Sequence, residues 1–176
     1  VDGTFGPLSL RTGNQPERFA IGLVNTDTIP DIVTADYRSN TISIMLGNGD
    51  GSFQPSIKDT SGNGIHDLAL ANFNNDGITD IAMANNGNVS IALGNGDGTF
   101  ATPVLQSLPG VGGDWAIAAG NLNADNFTDV VATSANQDSV FVLLGSGNGT
   151  FLNGVGYATG DRPFDVKIAL INSDSY

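Results

Sequence analysis

The sequence predicts an all-β protein built from repeated four-stranded units, and three observations carry the prediction. An aspartate that closes a polar loop recurs at Asp31, Asp80 and Asp129, each 49 residues from the last. The strings DGTF, GNGDGSF, GNGDGTF and GSGNGTF place a phenylalanine at Phe5, Phe53, Phe100 and Phe151, in steps of 48, 47 and 51. Every unit holds four short β-type runs bounded by turns, and no segment carries a helical period. Repeats of this length are stacked supersecondary units, none of which buries a face alone.

We label the four runs of each unit strands A to D. Strand A can be laid in register from Glu17 (ERFAIGL), His66 (HDLALAN), Trp115 (WAIAAGN) and Phe164 (FDVKIAL), again 49 apart. Phe19, Leu68, Ile117 and Val166 share its third column and Ile21, Leu70, Ala119 and Ile168 its fifth, the period-two face of a strand. Gly22, Ala71, Gly120 and Ala169 fill the sixth. Only small residues fit there, so strand A is expected innermost, where neighbours approach closely. Glu17, His66, Trp115 and Phe164 share a register but differ in type, which reads as a rim that packing does not fix.

Strand B (DIVTAD, DIAMAN, DVVATS) and strand C (TISIMLG, NVSIALG, SVFVLLG) are apolar and β-branched enough to be covered on both faces. Asn48-Gly49-Asp50-Gly51 and its counterparts carry the tight-hairpin signal between C and D. Strand D is expected to begin at the phenylalanine. Such units read as β-propeller blades, which form rings of about 4 to 8. The chain is a single propeller segment, with repeats at about 12–60, 61–109 and 110–159 and partial repeats at 1–11 and 160–176. That gives three complete blades plus a flanking strand D over 2–11 and a fourth strand A, a segment of a larger propeller. Val1 in place of an initiator Met fits a processed or partial chain.

Composition narrows the function classes. With 18 acidic residues against 6 basic ones the net charge is −12, a poor surface for nucleic acid. The absence of cysteine removes disulfides and thiol chemistry. No apolar run reaches the roughly 18 residues needed to cross a bilayer, so membrane insertion is not expected. His66 is the only histidine and makes no zinc site by itself.

The loop between strands A and B carries the chemistry. Asn72, Asn74 and Asp76 stand at positions one, three and five, Gly77 at six, Ile78 at seven and Asp80 at nine. Oxygen donors at alternate positions, with the Ile78 carbonyl, suit one hard cation, and calcium is the expected ion. Asn121, Asn123, Asp125, the Phe127 carbonyl and Asp129 repeat the set, with Asn126 replacing the glycine. An EF-hand is excluded by Met83 and Ala132 at position twelve and by the flanking strands. The first loop is degenerate: Leu23 replaces the first ligand and Thr28 the glycine, leaving Asn25, Asp27 and Asp31 as weaker candidates. Asn172 and Asp174 belong to a fourth, similar copy. The alternative is a metal-free turn, since Asn, Asp and Gly build turns unaided. Against it, two carboxylates about 4 Å apart repel by about 4 kcal/mol at an effective dielectric near 20. Two acids per loop imply modest affinity, suited to a calcium-rich extracellular or cell-surface setting.

These loops, followed by LLGNGDGTF-like hairpins, resemble FG-GAP/VCBS repeats, the blades of the integrin α-subunit propeller. Phe5-Gly6 preserves the "FG", while MANN and ATSAN stand where "GAP" would be, closer to the VCBS variant. The resemblance covers the chain and implies a calcium-stabilised propeller that binds a protein or carbohydrate ligand; association with further blades or another chain is expected from the incomplete blade count. A non-catalytic recognition or adhesion module is the expectation. The alternatives are the propeller of a secreted polysaccharide-active enzyme or lectin, and a structural surface-layer element.

A ligand surface is expected opposite the metal loops, where the D–A and B–C turns share a face and Arg11, Arg18, Arg38, Lys58 and Arg162 collect. Its candidates are Tyr37, Arg38, His66 and Trp115. Scattered solvated charges are the simpler explanation of those bases.

Overall fold

A computed structural model describes residues 10–59, 62–108 and 116–169. These form three four-stranded antiparallel sheets, each in simple sequence order. The first holds β1 (Pro16–Gly22), β2 (Asp31–Asp36), β3 (Thr41–Met45) and β4 (Ile57–Asp59). The second holds β5 (Asp67–Ala71), β6 (Asp80–Asn85), β7 (Asn88–Ala92) and β8 (Val104–Ser107). The third holds β9 (Ile117–Gly120), β10 (Asp129–Ser134), β11 (Ser139–Leu143) and β12 (Val155–Ala158). One 3₁₀ turn, Tyr37–Ser39, joins β2 to β3, and there is no α-helix among the described residues.

The sheets stack face to face. Val33, Ala35, Ile42 and Ile44 of the first bury themselves with Leu68, Ile81 and Met83 of the second. The opposite face of the second, Ala82, Ala84, Val89 and Ile91, packs with Ile117, Val130, Ala132, Phe141 and Leu143 of the third. Each Val, Leu, Ile, Met or Phe buried here contributes about 1.5–3 kcal/mol. Strands B and C of the middle sheet are accordingly buried on both faces.

Strand A is innermost, with β1 lying against β5 and β5 against β9. The small sixth column follows from that approach. A Cβ on Gly22 would sit 2.8 Å from Leu70 Cδ1, and one on Gly120 would sit 3.1 Å from Ile168 Cγ2.

Two boundaries differ from expectation. Phe53, Phe100 and Phe151 make only isolated bridges to Gly47, Gly94 and Gly145. Strand D starts four residues later in each sheet, because Pro55 and Pro103 lack the N–H a ladder needs and Gly154 weakens the third copy. Residues 164–169 form no strand. A strand A takes its ladder from the strand B of its own blade, and the described residues hold none for it. Ile168 still packs over Gly120, as Leu70 packs over Gly22. The expected opening strand D lies almost wholly outside the described residues. Phe19 and Ile21 hold the register of Leu68 and Leu70 but are 66% and 63% exposed where Leu68 is 5%, since no sheet among the described residues covers the outer face of the first blade.

Candidate metal loops and ligand face

The three A–B loops share one internal network. In the second, Asn74 Oδ1 accepts the Asp76 N–H at 3.1 Å, Asp76 Oδ1 accepts the Ile78 N–H at 2.7 Å, and Asn74 Nδ2 donates to Asp76 Oδ2 at 2.8 Å. Asn123, Asp125 and Phe127 repeat it at 2.9 Å throughout. Asn25, Asp27 and Ile29 repeat it in the degenerate loop, at 3.0, 2.7 and 2.8 Å. Gly77 (φ 85°) and Asn126 (φ 63°) take the left-handed conformation at position six, whereas Thr28 does not. Asn75 also turns left-handed, at φ 60°, which the spacing did not foretell.

The closing aspartates have a structural task that the loop spacing does not reveal. Asp80 is fully buried, with Oδ2 accepting the Phe73 N–H at 2.7 Å and Oδ1 the Gly94 N–H at 2.8 Å. Asp31 joins Val24 to Gly47 at 2.9 Å each, and Asp129 joins Leu122 to Gly145 at 2.8 Å each. Each carboxylate therefore clamps its A–B loop to its own C–D hairpin, with or without an ion. A side chain at Gly47, Gly94 or Gly145 would run into the carbonyl oxygen of Pro30, Thr79 or Thr128. The readable signal was that Asp31, and Gly47 in the hairpin, persist where the loop has lost its first ligand and its glycine.

The second loop fits a cation best. Asn72 Oδ1 is buried and has no hydrogen-bond partner, a state costly for a polar atom unless something positive reaches it. Burial pushes the Asp80 carboxyl above its ordinary value, the Gly94 and Phe73 N–H groups pull it back in part, and the charge on Asp76 pushes it further up. A cation would relieve both the orphaned oxygen and the crowded carboxylates. Asn121 Oδ1 in the third loop instead accepts the Asn123 N–H at 3.0 Å. Among the described residues no three His, Cys, Asp or Glu side chains converge on a metal position. Each loop brings two carboxylates, and its remaining donors are amide and carbonyl oxygens. Asn172 and Asp174 lie outside the described residues.

On the opposite face, D–A and B–C turns meet as anticipated. The Tyr37 and Arg38 N–H groups donate to Gln15 and Asn14 carbonyls at 3.0 and 3.2 Å, and the Arg162 N–H donates to Asp138 Oδ1 at 2.8 Å. Arg38 is exposed. His66 corrects the reading of a rim free of packing constraints: it is 8% exposed, its ring 4.6 Å from that of Tyr37. Its Nδ1 lies 3.0 Å from Glu17 Oε2 and its Nε2 2.9 Å from Asn86 Oδ1. The ring is thus a seam between the first two blades, offering Tyr37 rather than itself to solvent. Trp115 lies outside the described residues.

Radially stacked four-stranded sheets with strand A innermost define a β-propeller segment. The FG-GAP-like repeat model matches residues 24–83 and 72–132, and the chain belongs to this family. No curated protein matches it. Among solved structures it is similar to one described as the structural basis of specific recognition of non-reducing terminal N-acetylglucosamine by an Agrocybe aegerita lectin. That likeness has a TM-score of 0.58 and 25% identity over 77% of this chain. The match spans 36% of the lectin's chain.

Proposed function

We propose that the chain is a calcium-stabilised propeller segment that recognises a carbohydrate outside the cell or at its surface, without catalysis. The observation that carries the metal reading is the buried, unpartnered Asn72 Oδ1 in the same loop as Asp80, whose carboxyl the charge on Asp76 pushes further up. Asn72, Asn74, Asp76, the Ile78 carbonyl and Asp80 would hold the second-loop ion, and Asn121, Asn123, Asp125, the Phe127 carbonyl and Asp129 the third. The ion supplies positive charge to these oxygens, and the loops themselves already hold the turn. Asn74 and Asp76 then only exchange their amide-to-carboxylate hydrogen bond for the cation.

The carbohydrate reading rests on the likeness to the N-acetylglucosamine-specific lectin. Tyr37 and Arg38 supply an aromatic face and a guanidinium on the surface away from the metal loops. A glycan array presenting terminal N-acetylglucosamine tests it, followed by Tyr37→Ala and Arg38→Ala. Binding without turnover, lost in those variants, supports the reading. Cleavage of a polysaccharide would move the chain to an enzyme's propeller, and binding to proteins alone would move it to adhesion.

A further inference from the structure

The first ligand of the second loop is held by the third blade. Thr128 Oγ1 donates to the Asn72 carbonyl at 3.1 Å, and the Gly149 N–H donates to the next carbonyl, that of Phe73, at 3.0 Å. Gly149 also leans on the second loop, since a Cβ there would lie 3.7 Å from Asn74 Cβ. Thr128 is itself position eight of the third loop, flanked by the Phe127 carbonyl and Asp129, both ligands in the proposed set. At the preceding junction the Gly98 N–H binds the Val24 carbonyl at 3.1 Å, but no hydrogen bond from Thr79 to Leu23 is formed among the described residues.

We infer that Thr128 is a positioning residue through which the second and third loops bind their ions cooperatively. This rests on the calcium reading above. An ion in the third loop further restrains Phe127 and Asp129, which the loop's own hydrogen bonds already hold, and with them Thr128. The peptide of Asn72, whose Oδ1 is buried without a partner, is thereby fixed. The second ion then loses less conformational freedom on binding, and by linkage the benefit is mutual. One hydrogen bond carries the coupling, so the expected factor is about 5-fold in affinity.

Calorimetric titration of calcium into the whole chain tests this. Asp125→Ala, which disables the third loop, should weaken the second about 5-fold, and Asp76→Ala should weaken the third by the same factor. Thr128→Val should weaken the second loop and abolish the effect of Asp125→Ala, while Thr128→Ser, which keeps the hydroxyl, should behave as wild type. In the Asp76→Ala background Thr128→Val should leave third-loop affinity unchanged, a result that general unfolding would not give. Two ions bound independently, with Thr128→Val indifferent, would refute the coupling and leave the metal reading standing. Failure of the unaltered chain to bind calcium would remove both.

Discussion

Glu17 and His66 are separated by one sequence repeat and by 3.0 Å in space, Oε2 to Nδ1. The same column of strand A, in consecutive blades, has become a contact across the blade seam, and Tyr37 and Asn86 enclose the ring from the two B–C turns. His66→Ala should therefore lower stability by about 2 kcal/mol, through a buried cavity and two lost hydrogen bonds. Urea unfolding measures it. A change within about 0.5 kcal/mol, the ordinary range for surface substitutions, would return His66 to the open rim.

The closing aspartate can be tested apart from metal in the first loop, where Leu23 and Thr28 disfavour an ion. Asp31→Ala strands the Val24 and Gly47 N–H groups in the interior and should cost about 3 kcal/mol whether or not calcium is present. Asp76→Ala, in an exposed part of the second loop, should cost about 1 kcal/mol without calcium and remove calcium's added stability there. Paired melts in chelator and in calcium separate the two roles. Full rescue of Asp31→Ala by calcium would contradict them.

Glycines in this chain serve different ends. Gly94→Ala drives a Cβ into the Thr79 carbonyl, which belongs to backbone and cannot move aside cheaply, so a loss of about 3 kcal/mol is expected. At Gly77 a Cβ meets nothing within 4 Å and only the φ of 85° opposes it, for about 1–2 kcal/mol. Gly160 has neither constraint, and its alanine variant should be neutral. Equal losses at all three sites would argue against the hairpin geometry.

Asp67 supplies a pH dependence. Burial raises its carboxyl, with the Ile117 and Leu68 N–H groups and Arg18 opposing and the charge on Asp165 adding. A raised folded value means the native state favours the protonated form. That contribution is complete below the ordinary value near 3.8 and is lost as pH rises through the folded value. Asp67→Asn keeps an acceptor for the Ile117 N–H without a charge to bury. Relative to wild type it should therefore gain stability as pH climbs from about 4 to 7, as denaturant titrations at several pH values would show. A constant difference would mean that Asp67 is not desolvated.

Much of this architecture was legible because the repeat writes one environment several times. The sixth column of strand A announced a close approach, and Leu70 and Ile168 are the side chains that impose it on Gly22 and Gly120. The alternate oxygens of the second and third loops were equally plain. Other features stayed hidden because their partners come from distant segments. Asp31 reads as a ninth ligand until the Gly47 N–H, 16 residues on, is seen to occupy it. His66 reads as rim until Glu17, Tyr37 and Asn86 close around it. Strand D begins four residues after the phenylalanine that marks it, because Pro55 and Pro103 cannot extend the ladder in the first two sheets.

The central claim is the bound ion. Chelator-treated chain should take up two calcium ions, with a higher melting temperature than in magnesium. At free calcium about 100-fold above the dissociation constant each ion adds about 2.7 kcal/mol. An unchanged melting temperature and no heat of binding on adding millimolar calcium would contradict it.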